Sequence, residues 1–367
     1  MTKKPNQFKK VATIKKWHYL IFSFIILEII CLLYLVTYFN NPVKLAHTAN
    51  SECKKSADKN LCYSKYFYTL TKKNDLGLAR KTLIALQDID PVDCHFIGHR
   101  IAQAETEKNP ENWKNVIKKD SPSMCSGGFI HGALEVHLLH DPSFVINDHS
   151  IEFICKELIG NNPFNQLSCS HGMGHLLLVQ FTGDINKASN VCENISDLQN
   201  RYECLSGVFM ENDLGEGLFA HGIIKQPVKK TQETASNIEI LCKKYSNIQS
   251  DACWKEISHL YNYIHKDDPK LLYKECQNAP TRKAINECFI HGALSITGNL
   301  GINQQNLFEI CNQFEEKNPL FDNCMKNVIP TMLSYTFEKK LKVFDLCNST
   351  YPSYRQKCYK QVLTSLI

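Results

Sequence analysis

Three pairs of potential metal ligands stand at helical spacing in this chain: His95 with His99, His131 with Glu135, and His171 with His175. Residues four apart lie one turn apart on one face of an α-helix, so both side chains can reach a single ion without distorting the backbone. Glu211 supplies a further carboxylate in a fourth comparable segment. The candidate metal ligands are therefore His95, His99, His131, Glu135, His171, His175 and Glu211. Imidazole and carboxylate donors suit iron, zinc, manganese or copper, and the set is larger than one zinc ion needs, so it offers room for one or two ions. None of the pairs carries a glutamate directly after its first histidine, which weakens a zinc-protease reading.

Other histidines are less clearly placed. His259 follows Glu256 by three and extends the cluster, whereas His291 lies in the second copy of FIHGAL, with Ser295 at its fourth position, and is as readily a relic of a repeat as a ligand. His137, His140, His149, His221 and His265 fit solvated or capping roles.

The candidate ligands sit in segments that each begin at a cysteine: Cys94-HFIGHRIAQ, Cys125-SGGFIHGALEVHL, Cys169-SHGMGHLLLVQ and Cys204-LSGVFMEND. The last such segments, Cys324-MKNVIPTML and Cys358-YKQVLTSLI, contain neither histidine nor glycine. Gly98, Gly127, Gly128, Gly132, Gly172, Gly174 and Gly207 fall in the early segments, where each costs about 1 kcal/mol of helix stability relative to alanine. They either make room for a cofactor or allow one helix to pack tightly on the next.

Cysteine supplies the framework. The chain has 17 cysteines in 367 residues, and all but Cys31 follow residue 50. They fall into short polar loops, Cys53 to Cys62, Cys155 to Cys169, Cys192 to Cys204, Cys242 to Cys253, Cys276 to Cys288, Cys311 to Cys324 and Cys347 to Cys358, flanked by apolar residues at helical spacing. From Cys155 the first cysteines recur at intervals of 37, 50, 34, 35 and 36 residues, a period that belongs to helical hairpins. The expected unit is helix A, a disulfide-closed loop and helix B. Cys94 and Cys125 remain, either paired across the intervening NWKNVIKKD or free near a metal. The spacing resembles that of tetratricopeptide-type and Sel1-type repeats, although the tetratricopeptide tryptophan, glycine and tyrosine pattern is absent.

The expected fold is thus all-α: an N-terminal transmembrane helix and then a disulfide-stapled, α-solenoid-like array of helical hairpins. Residues 1–16 carry six lysines and read as a cytoplasmic basic tail, 17–39 as a transmembrane signal anchor interrupted by Glu28, 40–52 as a linker and 53–367 as the repeat domain. Within that domain, 90–215 reads as the site half and 240–367 as structural repeats. The lysine asymmetry predicts a single-pass membrane protein with a periplasmic, extracellular or lumenal C-terminal domain, and disulfides fit such a compartment.

The functional expectation is a membrane-anchored, extracytoplasmic metalloprotein, an oxidoreductase or hydrolase, with no catalytic residue assigned. The alternative is an interaction scaffold for an envelope or lumenal protein. Of the net charge of +5, the first sixteen residues supply all the excess, so no basic face for nucleic acid is expected. A Cys-x-x-Cys-His haem motif, a Gly-x-Ser-x-Gly elbow and a phosphate-binding glycine loop are all absent from the sequence.

Overall fold

The computed structural model describes residues 24–28, 41–56, 58–90, 92, 94–118, 124–140, 145–159, 163–215, 217–218, 224–299, 310–312, 314, 318–335, 344, 347–348 and 350–365. Among these residues the fold is entirely helical. It opens with α1 (Pro42–Cys53), α2 (Lys59–Lys73), α3 (Leu76–Ile89), α4 (Cys94–Thr106), α5 (Trp113–Lys118) and α6 (Gly128–His140). Next come α7 (Asp148–Ile159), α8 (Pro163–Gln180), α9 (Ile185–Glu193), α10 (Leu198–Leu214), α11 (Gln232–Cys242) and α12 (Asn247–His265). The array ends with α13 (Pro269–Cys276), α14 (Arg282–Asn299), α15 (Pro319–Tyr335) and α16 (Arg355–Ser365).

Local sequence sets many of the helix starts. Asn41, Asp58, Asp75, Asp184, Asp197, Thr231 and Asp268 each accept a backbone N–H of the first turn through their side chains. These caps satisfy donors that a helix start otherwise leaves unpaired. Gly215 ends α10 in the left-handed conformation at φ 63°, which glycine adopts without a Cβ clash.

The disulfides close the hairpins as the spacing predicts: Cys53–Cys62, Cys155–Cys169, Cys192–Cys204, Cys242–Cys253, Cys276–Cys288, Cys311–Cys324 and Cys347–Cys358. Cys94 and Cys125 also bond to each other, which removes the free-thiol alternative. Successive B helices pack side by side in the order α2, α4, α6, α8, α10, α12, α14, α15 and α16, while the A helices lie against them. Trp254, Tyr63, Tyr261, Phe67, Phe129, Phe209, Phe289 and Phe321 are fully buried between these layers. The stretch read as a linker contains α1, whose Ala46, Ala49 and Cys53 join the core.

The transmembrane expectation is corrected. Among the described residues no helix is long and apolar enough to cross a membrane. Within 17–39 only residues 24–28 are described, and they are helical. The remainder of that segment, with Cys31, lies outside the described residues, as does the basic tail. The longer helices of the array carry charged and polar side chains, as α12 does with Asp251, Lys255 and Glu256. The signal anchor, the membrane partner and the single-pass topology rested on that apolar run, and they fall with it; so does the extracytoplasmic placement, which took its direction from the lysines flanking the run, although the disulfides it also drew on are present. So do the membrane-anchored function and the envelope partner derived from them.

Candidate metal centre

Close helix crossings bring the histidines together. A methyl group at Gly132 on α6 would run into the backbone carbonyl of His99 on α4, and one at Gly207 on α10 into the carbonyl of His171 on α8. Of the two readings of these glycines, the tight approach of neighbouring helices is the one the packing displays. Because each crossing falls beside a histidine, imidazoles from successive B helices meet.

Five of the expected ligands form one basin. His131 stands at its middle, with its ring centre 5.0 Å from that of His95, 6.3 Å from His99, 5.2 Å from His171 and 5.5 Å from His175. The two expected glutamates act on these rings: Glu135 Oε2 lies 3.4 Å from His99 Nε2, and Glu211 Oε2 lies 3.0 Å from His175 Nδ1. The Gln103 amide donates to Glu135, and Glu211 Oε1 accepts the Leu218 N–H at 2.8 Å. Carbonyl oxygens hold two further rings, with Cys125 O 3.1 Å from His95 Nδ1 and Ser168 O 2.9 Å from His131 Nε2. His171 instead meets Glu203 Oε2 at 3.6 Å and Met210 Sδ at 3.3 Å.

Burial is the main force on these rings, and it favours neutral imidazole. It holds His99 down at about 4 against the pull of Glu135, with His95, His175 and Arg100 adding repulsion. His171 is likewise held at about 4 despite Glu203. His131 falls well below its ordinary value through burial and then through His95, His171, His175 and His99.

A second group lies where α10, α12 and α14 meet. His259 Nε2 and His291 Nε2 are 2.8 Å apart, and Glu256 Oε2 is 3.6 Å from the first and 3.4 Å from the second. Glu256, His259 and His291 could hold a metal ion, and among the described residues they are the set whose donor atoms all fall within 4.8 Å of one another. Ser206 on α10 donates to Glu256 Oε1, and Ser295 Oγ lies 3.2 Å from His259 Nδ1. The Asn262 amide donates to the Gly292 carbonyl at 2.7 Å and keys α12 to α14 beside the site.

Glu256 is fully buried, and burial alone would raise its pKa, yet His291, Lys255 and His171 together hold it well below the usual carboxylate range. Burial, the neighbouring His291, and the more distant His95 and His171 keep His259 at about 3 against the attraction of Glu256. Lys255 connects the two groups, 2.9 Å from Glu203 Oε2 and 3.6 Å from Glu256 Oε1.

Of the residues singled out in sequence, His95, His99, His131, His171 and His175 are brought together, with Glu135 and Glu211 beside them. Glu256 and His259 share one face of α12, as their spacing implies. His291, left open between relic and ligand, faces His259 across the helix boundary. His265 pairs with Glu275 at 3.0 Å, His137 stacks on Trp113 with ring centres 4.5 Å apart, and His221 lies outside the described residues. Ser206 and Lys255 were missed, since an isolated serine and lysine in amphipathic helices carry no signal of their own.

Fold and site together define a disulfide-stapled helical-repeat protein with a two-histidine, one-glutamate group capable of holding an ion. Compared with known proteins, the chain matches no family model, no curated protein and no solved structure.

Proposed function

We propose that this chain is a helical-repeat metalloprotein whose resident ion is a divalent transition metal held by Glu256 Oε2, His259 Nε2 and His291 Nε2. The observation that carries this reading is the triangle of donor atoms with edges of 2.8, 3.4 and 3.6 Å. Bonds of about 2.0–2.2 Å separate two ligands of a tetrahedral ion by roughly 3.3–3.5 Å, and those of an octahedral ion by roughly 3.0 Å. The triangle therefore matches one face of either coordination shell. Glu256 Oε2 is also buried without a hydrogen-bond donor, a deficit that a cation relieves.

The donor types narrow the ion. Two imidazoles and one carboxylate on a common face suit iron(II) or zinc first, then manganese and copper(II). Cysteines 53 to 358 are all engaged in disulfides, so thiolate ligation does not compete. Three protein ligands leave coordination positions for solvent or an exogenous ligand, and the ion supplies Lewis acidity there, with redox chemistry if it is iron or copper.

Elemental analysis of the purified, oxidised protein, followed by anaerobic titration with iron(II) and zinc, tests the proposal. Wild-type protein should bind an ion that a His259→Ala, His291→Ala double variant does not. Equal binding by the two, or a folded wild-type protein that takes up neither metal, would refute the assignment.

A further inference from the structure

We infer a second metal position, distinct from the Glu256 centre, on the floor of a cavity of about 780 Å³, where His99, His131 and His175 are the ligands. The cavity is lined by these three residues with His95, Glu135 and Glu211, and neither Glu256, His259 nor His291 borders it. The inference therefore does not depend on the first site.

Hydrogen bonding identifies the ligand atoms. His131 Nε2 faces the Ser168 carbonyl at 2.9 Å, which fixes a proton on that nitrogen. His175 Nδ1 faces Glu211 Oε2 at 3.0 Å, with the same effect, and the opposite nitrogen of each of these two rings then carries a lone pair. His99 Nε2 lies 3.4 Å from Glu135 Oε2, an ion-pair contact that turns its Nδ1 away from the carboxylate. Those nitrogens, His131 Nδ1, His175 Nε2 and His99 Nδ1, are all buried and lack a hydrogen-bond partner. Three buried ring nitrogens without partners in one basin is an arrangement that packing alone disfavours. A carboxylate or carbonyl on one imidazole nitrogen and an ion on the other is the pattern by which proteins orient metal-bound histidine.

Two imidazoles on one tetrahedral ion, with bonds of about 2.0–2.1 Å, place their ring centres roughly 5 Å apart. His131 and His175 are at 5.5 Å and His131 and His99 at 6.3 Å, and the nitrogens of the three rings do not all lie within 4.8 Å of one another, so loading has to draw His99 inward by about one ångström or more. Glu135 and Glu211, both candidate ligands by sequence spacing, thereby become positioning residues that hold His99 and His175. Three imidazoles suit zinc or a similar borderline divalent ion, with a further coordination position open to the cavity. The cavity walls add Phe96, Leu176, Val179 and Tyr263, an apolar surround for the non-coordinating part of a small molecule whose anionic end would reach the ion.

Cobalt(II), a spectroscopic stand-in for zinc, tests this in the full chain. Wild-type protein should bind two equivalents, and azide should shift the visible bands of one of them. His131→Asn and, as a second variant at the cavity edge, His99→Gln should each bind one equivalent with the azide-sensitive bands lost and the circular dichroism unchanged. Glu256→Gln should keep the azide-sensitive equivalent, and it does so even if the proposal for the Glu256 centre fails. Folded His99→Gln and His131→Asn proteins that retain wild-type stoichiometry and azide response would overturn the inference, as would a wild-type protein with one equivalent that Glu256→Gln abolishes.

Discussion

Glu256 concentrates the energetic problem of this site in one carboxylate. It has no exposed surface, and it is compensated by Lys255 at 3.6 Å, by the Ser206 hydroxyl and by two imidazoles. Removing one partner of a buried charge pair costs about 3–5 kcal/mol because the other is left uncompensated. Here Lys255 retains Glu203, so Glu256→Gln should cost the metal-free protein about 3 kcal/mol, at the lower end of that range, measured by urea denaturation with a chelator present. Gly132 presents the opposite case, a residue with no side chain whose absence is the function. Gly132→Ala pushes a methyl into the His99 carbonyl and should destabilise the fold by about 1–3 kcal/mol through overpacking. It should also weaken the cavity metal while leaving every donor atom in place, which a cobalt titration at matched folded fraction would reveal.

At the scale of helices, the disulfide-closed hairpin was legible because cysteine spacing, turn residues and apolar periodicity all pointed to the same unit. The crossings between hairpins were not. The approach of α12 to α14, which seats His291 against His259, depends on Asn262 reaching the Gly292 carbonyl 30 residues away, and no local pattern encodes that contact. The apolar run from Trp17 was read as a span from composition and length alone, and among the described residues no helix is long and apolar enough to cross a membrane.

Contacts between elements also make part of the fold acid-sensitive. Asp322 on α15 meets Lys326 at 2.8 Å, the Tyr354 hydroxyl at 2.9 Å and the Lys357 ammonium, the last two from the final hairpin. Burial opposes its ionisation, but these partners prevail and hold it down at about 2. A carboxylate whose folded pKa is depressed contributes stability above its unfolded value of about 3.9, and that contribution is lost as pH falls toward the folded value. Melting temperatures of wild type and Asp322→Asn should therefore differ by a constant amount above about pH 5 and converge between about pH 4 and 2. A difference that stays flat through that window would show that the aspartate is not the acid-sensitive tie.

For the whole molecule, the B helices form a chain in which each packs chiefly on its sequence neighbours, so coupling between distant hairpins should be weak. The disulfides allow that to be measured. Cys347–Cys358 closes the last hairpin, beyond α14 and both metal positions, whereas Cys94–Cys125 joins the start of α4 to the turn whose carbonyl holds His95. In the chain-entropy model, replacing the first pair by serines should cost about 3 kcal/mol and the second about 3–4 kcal/mol, nearly the same loss. Their effects on metal binding should nonetheless diverge. The Cys347→Ser, Cys358→Ser protein should keep wild-type affinity at both positions, because a local opening at the end of a repeat array does not reach its middle. The Cys94→Ser, Cys125→Ser protein should keep the Glu256 centre but lose affinity at the cavity, since His95, His99 and Phe129 are no longer held in register across α4 and α6. Urea denaturation and metal titration on the two variants read both quantities, and a terminal variant with impaired metal binding would mean that the array behaves as one cooperative block.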